Sequence, residues 1–105
     1  MVIKRAKFAV GHLVHHSLFD YRAVIIDVDP CFLGTVEWYE SVATSRPPKD
    51  APWYHCLVHN GVHRTYVAER NLTHDLSAEP IDNPDVELYF SDFEAGCYIL
   101  EPNTN

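Results

Sequence analysis

The sequence predicts a mainly β fold, a small and strongly bent barrel with one short helix. Three observations carry that prediction. The apolar runs are short and rich in β-branched and aromatic residues, as over 22–28 and 53–58, which favours strands. Glycine, proline and an Asn-Gly pair punctuate them, as turns require. Neither a long helical period nor a strand–helix–strand rhythm runs through the 105 residues. A chain of this length is expected to form one domain, 1–105.

The elements follow in order. Residues 8–14 read as a first strand interrupted by Gly11, where a bulge or tight bend is expected. Residues 15–21 make a polar and aromatic connection. Residues 22–28 are the clearest strand, ending at Asp29-Pro30. A short helix is expected within 34–43, with Thr35 as its cap and Glu37 near the positive end of the dipole. Trp38 and Val42 would share one helix face. Residues 46–52 hold Pro47, Pro48 and Pro52. Proline fixes φ and removes a donor, so this is a stiff, exposed arm feeding the strand at 53–58. Asn60-Gly61 between 53–58 and 65–68 signals a hairpin. Residues 71–74 end the second strand as a tight turn, and 75–85 are irregular. Residues 86–90 suit a closing strand or a short helix, and 96–100 add one more strand.

Charge is unevenly placed. Residues 1–70 hold all eight Lys and Arg against seven acids, a net of +1, while 71–105 hold eight acids and no Lys or Arg. The last third should repel phosphate backbones; it is either a docking face for a basic partner or a solvated surface. No apolar run reaches membrane-spanning length, and the start lacks the apolar stretch of a signal peptide. The expectation is a cytoplasmic protein with no membrane contact. Cys31, Cys56 and Cys97 are odd in number and far apart, so free thiols are expected.

No nucleophile motif, phosphate loop or zinc-protease pattern is present. The expectation is a non-enzyme without cofactor or metal. His55, His59 and His63 are four apart, but the hairpin would break that alignment. Asp27 and Asp29 share a strand face, where paired carboxylates do acid–base work or hold a cation, or simply end a strand. The structural reading is favoured because no third ligand accompanies them. The basic clusters are Lys4, Arg5 and Lys7, and Arg46 with Lys49, beside Phe8, Trp53 and Tyr54. Such pairings grip phosphates or meet apolar grooves. Candidate partner contacts are Arg46, Lys49, Trp53 and Tyr54. Candidate DNA contacts are Lys4, Arg5, Lys7, Arg22, Arg46, Lys49 and Arg64. At least one of Trp53 and Tyr54 is expected in the core, since neighbours on a strand face opposite sides.

Read together, several segments resemble the YccV-like family of hemimethylated-DNA-binding proteins. They are Lys7-Phe8-Ala9-Val10-Gly11 with Val14-His15-His16, and Tyr21-Arg22-Ala23-Val24-Ile25-Ile26-Asp27-Val28-Asp29-Pro30. Glu37-Trp38-Tyr39, Arg46-Pro47-Pro48-Lys49-Asp50-Ala51-Pro52-Trp53-Tyr54-His55 and Tyr66-Val67-Ala68-Glu69-Arg70-Asn71-Leu72 complete the set. The match covers about 7–90, leaving 91–105 as a C-terminal tail. Ala23 departs from the family's usual glycine. The resemblance implies an SH3-like β-barrel in a cytosolic protein induced by heat. It implies a non-catalytic accessory role that enhances degradation of selected or denatured proteins by a Lon-type protease, including control of the initiator DnaA. The alternative it implies is a module that binds hemimethylated DNA and regulates replication initiation. A homo-oligomer is expected.

Overall fold

A computed structural model describes residues 5–100. The elements are β1 (Leu13–His16), β2 (Tyr21–Asp29), α1 (Val36–Val42), β3 (Trp53–Val58) and β4 (Arg64–Ala68), then a 3-10 turn (Glu69–Asn71). β5 (Leu72–His74), α2 (Val86–Tyr89), β6 (Phe90–Glu94) and β7 (Cys97–Leu100) follow. The predicted class, mainly β with a short helix, is what forms. The first five strands make one antiparallel sheet in the order β4-β3-β2-β1-β5, and β6 pairs with β7 in a second. The large sheet is not closed into a barrel; β4 and β5 are its two edges. It is nevertheless curled, because Val67 from one edge and Leu72 from the other meet in the same cluster with Phe8, Val14, Ile25 and Tyr54.

Both faces of the central strands are covered. Leu13, Val24 and Leu57 point the other way and pack against Ile81, Phe90 and Tyr98. That is why Ala23, Val24 and Ile25 are all fully buried and the run reads as continuously apolar instead of alternating. Residues 91–100 therefore join the core through β6 and β7 instead of trailing from it.

Local chemistry decides most boundaries. Thr35 caps α1, its Oγ1 accepting from the Trp38 amide at 3.1 Å. Asn60 takes φ of 65° in the β3–β4 loop, and Asn83 holds that loop by donating to the Val58 and His63 carbonyls. Three expectations change. The strand expected from residue 8 begins only at Leu13, because the Gly11 N–H donates to Ile25 O and its carbonyl accepts from Tyr98 N. Leu72–His74 is strand β5, paired with β1, and the turn precedes it. The proline segment is not a free arm. Pro47 and Pro52 are buried; Tyr39 Oη donates to Pro47 O at 2.7 Å and Trp53 Nε1 to Pro48 O at 3.0 Å.

Candidate functional site

β2 pairs with β3 in register Ile25↔Cys56 and Asp27↔His55, so Ile26 is an extra residue, a bulge. A bulge reverses which side the following residues face. Without it Asp27 would point inward with Ile25. With it Val28 turns to the inner cluster, and Asp27 and Asp29 share the outer face with His55. Since His55 pairs with Tyr66 of β4, a polar row Asp27–His55–Tyr66 crosses three strands. Tyr66 Oη donates to Asp29 Oδ2 at 2.6 Å and accepts from the Leu33 amide at 3.1 Å. His55 Nε2 lies 3.1 Å from the same Asp29 oxygen, and its ring sits 4.4 Å from the Tyr66 ring. Burial and the hydrogen bond to Asp29 push the Tyr66 hydroxyl above the usual tyrosine range.

The reading of Asp27 and Asp29 as strand-ending carboxylates is therefore incomplete. Among the described residues, the one group of three or more His, Cys, Asp or Glu able to hold a metal is Asp27, Asp29 and His55. His59 stands apart, its Nδ1 accepting from the Asp82 amide. His63 lies in the loop beyond it. The free cysteines are as expected; burial pushes the Cys56 thiol up to about 12, which makes it inert.

Beside this row, Phe32, Trp38, Tyr39 and Trp53 pack with Tyr66 into an aromatic cluster under α1. A groove of about 690 Å³ runs past it, with Leu18, Phe19, Tyr21, Trp38, Val42 and Tyr66 in its walls. Leu18, Phe19 and Val42 are exposed. β4 forms part of the groove, and it is a sheet edge. Val58 N donates to His63 O and Glu69 N to Pro52 O. By antiparallel alternation the backbone groups of Arg64, Tyr66 and Ala68 face away from β3. Outside the strands and helices no backbone hydrogen bond among the described residues reaches Arg64 or Tyr66, while the Ala68 carbonyl opens the 3-10 turn that follows.

The predicted contact residues are scattered by this arrangement. Trp53 and Tyr54 are 1% and 0% exposed, both in the core because β3 is covered on both faces. Tyr54 Oη donates to Glu69 Oε1 at 2.6 Å and accepts from Phe8 N at 3.2 Å. Arg46 is exposed but salt-bridged to Glu40 at 2.6 Å, and the Lys49 ammonium sits 4.2 Å from the Tyr39 ring centre. Arg22 pairs with Asp75 at 2.7 Å and Arg64 with Asp85 at 3.0 Å. Burial opposes ionisation of Asp75, yet hydrogen bonds from Ser77 and Arg22 hold its carboxyl below the usual range. Arg5 and Lys7 are exposed; Lys4 lies outside the described residues. The groove itself escaped sequence reasoning, since Leu18, Phe19 and Val42 look like ordinary connection and helix residues. No helix among the described residues is long and apolar enough to cross a membrane.

A small mainly β domain whose open sheet edge borders an aromatic groove is a binding module in kind. The family model for hemimethylated DNA-binding protein YccV-like matches residues 6–97. The chain belongs to this family, and the match runs from before Phe8 through β6 into β7.

Proposed function

We propose that this protein is a non-catalytic, cytoplasmic heat-stress factor that binds polypeptide and promotes its degradation by a Lon-type protease, DnaA control included. The observation that carries this reading is the groove along β4. Its walls expose Leu18, Phe19 and Val42 among polar side chains, and the strand edge at Arg64 and Tyr66 offers main-chain donors and acceptors to an extended segment. Denatured proteins supply such segments, and strand addition to a sheet edge is a recurrent recognition mode. The protease itself comes from the family resemblance. Arg46, which lies between the groove residues Ser45 and Pro47, and Lys49 serve as outer contacts; Trp53 holds the proline segment through Pro48, and Tyr54 ties β3 to Phe8 and Glu69. A homo-oligomer would repeat the groove.

A second reading, binding of hemimethylated DNA, is favoured by the family description. It is weakened by charge, because Arg22, Arg46 and Arg64 are each neutralised by a carboxylate. Arg5, Lys7, Lys49 and the undescribed Lys4 remain as its phosphate contacts.

The deciding experiment titrates this protein into purified Lon with a denatured substrate. A saturable rise in rate is expected, cut at least fivefold by Phe19→Ser/Val42→Ser and reduced by Arg46→Ala/Lys49→Ala. A rate that stays flat across the titration sinks the accessory reading. Hemimethylated duplex then becomes the probe: phosphate contacts require affinity that falls as salt rises.

A further inference from the structure

We propose that Asp27, Asp29 and His55 bind a first-row divalent cation, for which zinc is the fitting probe. One ligand atom from each lies within 4.8 Å of the others. Donors about 2.0–2.2 Å from zinc sit roughly 3–3.5 Å apart, so closure needs side-chain movements of about an ångström. His55 Nε2 and Asp29 Oδ2 are already at 3.1 Å.

Charge points the same way. Two carboxylates face one imidazole, and no Lys or Arg among the described residues pairs with either of them. Even with His55 protonated, the cluster keeps a net negative charge. The Asp29 side chain is only 15% exposed, so water screens it poorly, and a carboxylate so placed calls for a cation. A divalent ion supplies the missing charge.

The surroundings are those of an oriented ligand set. Tyr66 Oη fixes Asp29 while being fixed by the Leu33 amide, and its ring braces His55. Outer hydrogen bonds of this kind hold ligating carboxylates in place. Two carboxylate oxygens with one imidazole nitrogen suit zinc, manganese or ferrous iron better than calcium, which takes oxygen alone. Three protein donors leave positions for water. Asp29 and His55 line a smaller pocket of about 330 Å³ with Leu33, Thr35 and Trp38, and Asp27 and His55 also line the larger groove. The site is independent of the degradation reading: neither Lon nor DNA enters its test.

Zinc chloride is titrated calorimetrically into metal-stripped protein. A single site per chain with micromolar affinity is expected. Asp29→Asn, which keeps an acceptor for Tyr66, and His55→Gln should each weaken it at least tenfold. His59→Gln/His63→Gln should leave it unchanged. A second measurement avoids variants: manganese added to the wild-type protein should broaden the amide resonances of Val28, His55 and Tyr66 before those of the 59–63 loop. Absence of saturable binding, wild-type affinity in His55→Gln, or broadening centred on the loop would overturn the proposal.

Discussion

His16 is buried at the end of β1, and its Nδ1 accepts from the amides of Leu18 and Phe19 at 3.2 and 3.1 Å. An accepting Nδ1 carries no proton. Burial, and then the neighbouring His15, lower its pKa below 6.5. Below pH 6.5 the unfolded chain takes up a proton that the folded chain resists, so stability falls as pH drops through that value. The urea midpoint should fall between pH 7 and pH 5, and His16→Asn, which retains a side-chain acceptor, should flatten that fall. An equal fall in wild type and variant would remove His16 from the account. The same turn carries Leu18 and Phe19 to the groove rim, so acid should also loosen the proposed polypeptide site. Sequence placed His16 in a polar and aromatic connection; its role appears when its partners, two and three residues ahead, fold back over it.

Among the elements, the join between the two sheets rests on Gly11. Its φ is +92°, and a Cβ there would lie 2.3 Å from the Tyr98 carbonyl oxygen. Only glycine meets both demands. Gly11→Ala should cost roughly 2–4 kcal/mol, seen as a lower urea midpoint, with the largest loss of amide protection in β6 and β7. A cost under about 0.5 kcal/mol would mean that the backbone relaxes freely there. Gly11 was legible as a special position. Its partner was not, because Tyr98 lies far along the chain and no local pattern links the two. The bulge at Ile26 was likewise hidden: Arg22 to Val28 reads as an unbroken β-branched strand, and the extra residue exists only relative to β3.

Over the whole molecule, the charge asymmetry folds back on itself. Asp75 and Asp85, from the acidic last third, pair with Arg22 and Arg64 of the earlier part. The acids that repel phosphate thus also occupy the arginines that would grip it. Buried proton donors set the alkaline limit. Burial carries Cys56 to about 12 from 9.0, and carries Tyr21 to about 12 from 10.0 despite a hydrogen bond to Thr65. Tyr54 and Tyr66 move in the same direction. Between pH 9 and 12 the unfolded chain releases protons that the folded chain keeps, so stability falls as pH rises. The urea midpoint should hold to about pH 8.5 and then decline, with a shallower early decline in Cys56→Ala. A midpoint that is level to pH 11 would contradict the burial of these groups.

By itself the sequence determined the β-rich class, the strand at 22–28, the Asn60-Gly61 hairpin, the Thr35 cap and the segments that mark the family. Each depends on the conformational preferences of a few adjacent residues, which the chain carries wherever it folds. Only the tertiary structure decided that Trp53 and Tyr54 are both buried, that the proline segment packs on Tyr39, and that Asp27 turns outward to meet His55. It also decided that three arginines are already neutralised. Those outcomes depend on strand register and on what covers each face, and both are set by contacts between residues far apart in sequence.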